Sequence, residues 1–402
     1  MEQLIEGVGS GRRNTPVMCE CGSRMESRGR REKRIITLMG AISFKRSLFV
    51  CPSCGSTRVP GDEMLGVEGT MFSPGVRRLM ARAGQRDTFK EGRDDLKEFA
   101  HIEVTAKQVE RVSEATGESV EQWHREERAL TMAGESLGKS DGEVPLLYVS
   151  YDGTGVPMVP WETAGRTGKQ ADGSSKTREV KLGCVFTQST TDENGFPVRD
   201  DDSTSFVGAI ESSDEFGDRI YTEAKRRGLD EAGKVVVIAD GARYNWEIAA
   251  LHFHRCTEIV DLYHAREHLH ELCALLKPKG SNEFNKLEIQ LRTWLDEGEV
   301  EKIIAKAQKL LPQDEDKAEE AEKHIGYFRN NASRMRYGEF REQGLFVGSG
   351  VVEAGCKTVV GKRLKQSGME WTVRGANAII ALRCLHLSGR MEEFWEQKAA
   401  NT

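Results

Sequence analysis

The stretch that most constrains the fold is VPLLYVSYDGTGVPMV, residues 144–159, a long apolar run with one carboxylate, Asp152, set inside it. Apolar residues in succession describe a strand covered on both faces, and an acid in the middle of such a strand needs a reason. A second run, KVVVIADGARYNW, reads as a buried parallel-type strand with Asp240 at its carboxyl end, followed by a helix through Trp246 and Ile248. A third, CTEIVDLYHAREHLHELCALL, is a strand that ends near Asp261 and passes into a helix carrying His264 and His268. Between the first two lie strands KLGCVFTQST and SFVGAIES and a returning helix, FGDRIYTEAKRRGL.

Three strands, helix, strand, helix, strand is the order of a ribonuclease H-like α/β sheet. In that fold, carboxylates on the first strand, at the end of the fourth and on a late helix converge on one edge. The late helix is GSGVVEAGCKTVVGKRLKQSGMEW, residues 348–371, with Glu353 in its first turn ahead of Lys357, Lys362, Arg363 and Lys365. From residue 354 to 390 there are seven Lys or Arg and one acid, Glu370, in a chain of formal net charge −6, which suggests a polyanion lying over a metal-binding carboxylate. The plainer reading is that Glu353 favours its helix N-terminus and the cations form a solvated face. Before this helix an all-helical stretch runs from about residue 281 to 344. Its segment EVEKIIAKAQKLL sets Val300, Ile303, Ile304, Ala307, Leu310 and Leu311 on one stripe, so it reads as a helical insertion with no chemistry of its own. Residues 189–205, with Asp200, Asp201 and Asp202, read as a mobile acidic loop.

Asp152, Asp240 and Glu353 supply hard oxygen ligands from three separate elements, which suits magnesium or manganese. Two such ions activate an attacking oxygen and stabilise a leaving one at phosphorus, so the constellation predicts metal-assisted phosphoryl transfer. His264 and His268 share a helical face, but HAREH is not the H-E-x-x-H order of a zinc hydrolase.

At the other end, Cys19 and Cys21 form one knuckle and Cys51 and Cys54, in CPSCG, another, with a hairpin pattern (RIITL, then ISFKRSLFV) between them. Four thiolates in two turns suit a structural zinc ribbon; the competing reading is unrelated buried cysteines. Residues 1–60 carry 11 Lys/Arg against 5 Asp/Glu, and Arg24, Arg28, Arg30, Arg31 and Arg34 are candidates for phosphate contacts. Residues 70–135 read as two or three polar helices, open between a helix-turn-helix and a plain linker domain. The glycine-rich GESLGKSDG, residues 134–142, marks a boundary. No apolar run approaches the roughly 18 residues of a membrane span, which predicts a cytoplasmic protein with no membrane partner.

The motifs YDGTGVP around Asp152, IADGARYNW around Asp240, IVDLYHAREHL around Asp261 and GSGVVEAGCKTVVGKRLKQSGMEW around Glu353 resemble those of bacterial insertion-sequence transposases of the ISKra type. The resemblance takes in the CPSCG knuckle and the PGDEMLG after it, and so covers most of the chain. It implies a DDE transposase with Asp152, Asp240 and Glu353 as the metal-binding triad, and with Asp261 and His264 as the supporting Asp/Cys-x-x-His element of Mutator-like relatives. Lys357, Lys362, Arg363, Lys365 and Trp371 would hold DNA, namely the element's terminal repeats and the target, in a homo-oligomer. The C-x-C of the first knuckle departs from C-x-x-C, and Ser349 and Val360 depart from the Tyr-x-x-Arg-x-x-x-Glu-x6-Lys pattern of another transposase group.

The expected organisation is a zinc-ribbon-like module at 1–65, a small helical domain at 66–140, the core at 141–280, the insertion at 281–344 and the closing part of the core with the Glu helix at 345–402. A ribonuclease H-like nuclease that cleaves without joining, and a non-catalytic domesticated DNA-binding protein, are the rival functions.

Overall fold

Residues 16–135, 143–168 and 170–400 are described by a computed structural model. Most of the break expected at 134–142 lies outside the described residues. Two units are distinguished, one of residues 16–121 with 389–400 and one of residues 122–388.

In the first unit, strands β1 (Glu26–Thr37) and β2 (Gly40–Val50) form an antiparallel hairpin, and β2 pairs with the two-residue β3 (Thr57–Arg58). Alternation puts Ile35, Ile42 and Phe44 inside, on Val67; Arg24, Arg28, Arg30, Arg31 and Arg34 are exposed. Helix α1 (Pro60–Met64) supplies Asp62, a buried acid that receives Lys33 at 2.8 Å and Arg46 at 3.1 Å from the two long strands. Three longer helices come next: α2 (Pro74–Arg86) capped by Ser73, α3 (Phe89–Ala100) capped by Thr88, and α4 (Ala106–Met132), of which residues 106–121 belong to this unit. Val76, Met80, Leu96, Ile102 and Val109 are their shared core.

The second unit is a mixed α/β layer structure built on a five-stranded sheet. Strand β4 (Val144–Pro157) is followed by α5 (Pro160–Thr163), then β5 (Thr177–Gln188), a small hairpin of β6 (Thr190–Thr191) and β7 (Pro197–Val198), and β8 (Ser205–Ala209). Next come α6 (Ser213–Arg226), β9 (Ala232–Ala239), α7 (Arg243–His252) and β10 (Thr257–Val260). The sheet order is β10-β9-β4-β5-β8, with β10, β9 and β4 parallel and β5 and β8 antiparallel to their neighbours. Leu147, Tyr148, Val149, Val236 and Val237 are fully buried, which is why β4 and β9 read as unbroken apolar runs. The acidic segment expected to be loose is instead pinned: Asp200 accepts from the Thr187 hydroxyl at 2.6 Å and the Ser189 amide at 2.9 Å.

After β10 come α8 (Leu262–Leu276) and four helices of the segment expected as an insertion: α9 (Asn282–Glu297), α10 (Val300–Gln308), α11 (Glu315–Asn331) and α12 (Tyr337–Glu342). The Val300, Ile303 and Ala307 stripe faces the core. The chain then returns to the sheet through α13 (Gly350–Gly355), a turn of i→i+5 winding at Cys356–Gly361, and α14 (Lys362–Leu364), and closes with α15 (Val373–Leu387). Gly355 is what lets α13 seat: a Cβ there would stand 2.6 Å from the Phe206 ring and 3.3 Å from Leu182 on β5. Among the described residues no helix is long and apolar enough to cross a membrane.

Candidate functional site: a carboxylate cluster at the sheet edge

Three parallel strands place their acids in one row. Tyr151 of β4 and Val260 of β10 both pair with Ala239 of β9, so the next residues along, Asp152, Asp240 and Asp261, lie side by side. For β9 and β10 this is the carboxyl end; for β4 it is mid-strand.

Each acid is held differently. Asp152 Oδ1 accepts from the Gly153 amide at 2.7 Å, and Cys356 Sγ lies 3.7 Å from its Oδ2. Burial pushes the Asp152 carboxyl above its ordinary range and Asp240 adds to the rise, against the opposing pull of the Gly153 amide and His264. Asp240 Oδ1 accepts from the Ala242 amide at 2.9 Å and the Asn245 side-chain amide at 2.5 Å, which fixes it at the turn into α7. The Tyr151 hydroxyl donates to the Asn245 carbonyl at 2.6 Å and ties that turn back to β4. Asp261 is fully buried. Its Oδ1 caps α8 by accepting from the His264 amide at 2.8 Å, and its Oδ2 accepts from the Ser349 amide just ahead of α13. Both Asp261 oxygens are thus engaged by backbone, one on each of the two segments that carry His264 and Glu353.

Glu353 is half-buried in the first turn of α13. One carboxylate oxygen each from Glu353 and Asp261 and one His264 ring nitrogen lie within 4.8 Å of one another. Among the described residues that close group does not take in Asp152 or Asp240; Asp152 is linked to the residue that follows α13, Cys356, nearly one turn beyond Glu353. All five residues expected in the site therefore gather at one sheet edge, as an inner trio with two acids beside it. Sequence reasoning missed Asn245, Ser349 and Cys356, although each sits within a motif already singled out. The donor set fits magnesium or manganese: it is rich in carboxylate oxygen, one member is raised by burial, and the buried Ser349 hydroxyl has no hydrogen-bond partner among the described residues.

The basic strip needs correction. Lys357, Lys362 and Lys365 are exposed, and Lys365 Nζ donates to Thr154 Oγ1 of β4 at 2.5 Å. Arg363 is instead fully buried, with its guanidinium 5.0 Å from the Trp371 ring centroid. Trp371 is buried too: its indole donates to the Leu364 carbonyl at 3.0 Å and its amide to the Pro157 carbonyl at 3.1 Å, so it ties the end of the helix to the end of β4. Neither is a surface DNA contact in this conformation. Arg383 likewise points inward, donating to the Val359 carbonyl at 2.6 Å and to that of Thr358, inside the i→i+5 turn. Beside Lys365 opens a groove of about 920 Å³, lined among others by Met158, Arg166, Lys176 and Gln366.

In the first unit, Cys19, Cys21, Cys51 and Cys54 bring their sulfurs within 4.8 Å of one another, with Cys19–Cys54 and Cys21–Cys51 contacts of 3.5 Å. Four thiolates about 2.3 Å from a tetrahedral zinc stand roughly 3.8 Å apart, so the cluster fits a metal such as zinc. Hydrogen bonds from the Ser56 hydroxyl and amide pull the Cys54 thiol down to about 6, while, against hydrogen bonding from the Cys54 amide, burial and the neighbouring thiols push that of Cys51 up to about 11.

No protein-family model matches this chain, and no curated protein sequence matches it. Among solved structures, the Drosophila P element transposase strand transfer complex is similar over 80% of this chain and 80% of its own, at 12% identity and a TM-score of 0.25.

Proposed function

We propose that the chain is a DDE transposase of the ISKra insertion-sequence type, with a ribonuclease H-like core, that cuts DNA at the ends of its element and joins them to a target. The observation that carries this reading is the register that sets Asp152 beside Asp240, with the Glu353 helix reaching Asp152 through Cys356. Asp152, Asp240 and Glu353 hold magnesium or manganese, which when bound supplies charge stabilisation at the phosphate and activation of the attacking oxygen. The rest is done by the protein. Asn245 and the Ala242 amide fix Asp240 through one oxygen and leave the other to the site. Asp261 is a positioning residue: it holds the segments of His264 and Glu353 at a fixed separation. Lys357, Lys362 and Lys365 grip backbone phosphates, with the strand lying along the groove beside Lys365. In the first unit, a zinc ribbon on the four cysteines and helices α2–α4 recognise the terminal repeats.

The test is magnesium-dependent cleavage and strand transfer on DNA carrying the inverted repeats that flank the coding region. Asp152→Asn, Asp240→Asn and Glu353→Gln should each abolish both steps while leaving DNA binding in place. Full activity in any one removes that residue from the chemistry, and cleavage without joining in the unsubstituted protein would make it a nuclease.

A further inference from the structure

One turn beyond His264, α8 presents a second set of ligand-type side chains that the carboxylate cluster does not use. His268 and Glu271, three residues apart and so on one face, look across to His324 on α11. His268 Nδ1 and His324 Nδ1 are 3.0 Å apart, and His324 Nε2 is 3.6 Å from a Glu271 oxygen. One ligand atom from each of the three lies within 4.8 Å of the others. The environment grades from dry to wet, with His324 buried, His268 half-buried and Glu271 exposed, which leaves one side open to solvent.

Two unprotonated Nδ1 atoms facing each other repel, and two protonated ones clash, so the pair is satisfied either by one shared proton or by one shared cation. Nitrogens bound to a tetrahedral zinc at about 2.0–2.1 Å stand roughly 3.3 Å apart, close to the observed separation. Two imidazoles and a carboxylate with room for water are the ligand chemistry of zinc-class ions and not of magnesium. The ligands also come from two helices far apart in the chain, so an ion between them would join α11 to α8. The joint matters for the wall of the site: the His268 ring stacks on Tyr327 of α11 with 3.8 Å between centroids. Tyr327 in turn abuts Gly241, the residue after Asp240.

We propose that His268, Glu271 and His324 form a zinc-class metal site that pins α11 to α8, separate from both the carboxylate cluster and the four cysteines. This does not rest on the transposase reading. The experiment counts metal on the full-length chain, dialysed against zinc and then against metal-free buffer. The unsubstituted protein should retain one more zinc equivalent than His324→Gln or His268→Gln. With cobalt substituted for zinc, the lost component should consist of weak visible bands without thiolate charge transfer, which separates it from the cysteine site. Glu271→Gln, a change at an exposed position that leaves folding intact, should weaken zinc binding at this site at least tenfold in competition with a chromophoric chelator. An equal zinc count and the same cobalt spectrum in folded His324→Gln, or an unchanged affinity in Glu271→Gln, would overturn the proposal and leave a hydrogen-bonded histidine pair.

Discussion

Asp261 offers a clean separation between holding metal and holding the site together. Its buried carboxylate accepts the His264 amide at 2.8 Å and the Ser349 amide. Each buried donor left unsatisfied costs about 1–3 kcal/mol, so Asp261→Ala, which strands both, should destabilise the second unit by about 4 kcal/mol. Asp261→Asn keeps one acceptor oxygen but turns an amide donor toward the other N–H, and should cost about half as much. At roughly 2–4 °C per kcal/mol for a unit of this order of size, the melting temperature should fall by roughly 8–16 °C for Ala and 4–8 °C for Asn. A residue that served as a metal ligand would behave in the opposite way. In magnesium-free protein, neutralising one of several crowded carboxylates relieves repulsion and leaves the melt unchanged or higher. The measurement is thermal unfolding monitored by circular dichroism in buffer that holds zinc but no magnesium. An Asp261→Asn protein that melts at or above the unsubstituted one would refute the positioning role and return Asp261 to the metal.

Asp152→Asn should show that opposite behaviour. Because burial raises the Asp152 carboxyl in the folded state, the stability linked to its proton is present below the ordinary carboxylate pKa of about 3.9 and is lost as pH rises through the folded value. The Asn variant should therefore melt above the unsubstituted protein in magnesium-free buffer near pH 7, and the gap should close toward pH 4; a lower melt near pH 7 would contradict the assignment. Gly241→Ala places a Cβ 2.1 Å from the Tyr327 ring and 3.0 Å from the Asn331 amide, an overpacking that should cost about 1–3 kcal/mol. A second substitution, Tyr327→Ala, should recover part of that loss in a urea-denaturation double-mutant cycle, and strict additivity would show that the two residues do not press on each other.

How far the sequence could be read depended on whether a signal was local. Strands β4, β9 and β10 were legible because burial on both faces writes itself as an apolar run, and an acid inside or at the end of such a run stands out. Register is not local. Nothing in the order of residues says that Tyr151 and Val260 share a partner in Ala239, yet that pairing is what turns three scattered acids into a row. The basic strip failed for a sharper reason. Counting Lys and Arg along residues 354–390 says nothing of the face each one takes: at about 100° per residue, neighbouring Lys362 and Arg363 already point in different directions. The i→i+5 turn at Cys356–Gly361 inserts an extra residue into that count and rotates the helix beyond it by roughly that angle. Arg363 is carried inward under Trp371, while Lys362 and Lys365 stay in solvent. Arg383 then supplies donors to carbonyls within the turn, so one of the cations that suggested a DNA surface instead stabilises the distortion. The distortion begins at Cys356, the residue that meets Asp152, directly after the turn that carries Glu353. A regularly wound helix would set Lys362 about 140° round from Lys357, whereas the extra residue in the i→i+5 turn brings the two to within about 40°, on one exposed face.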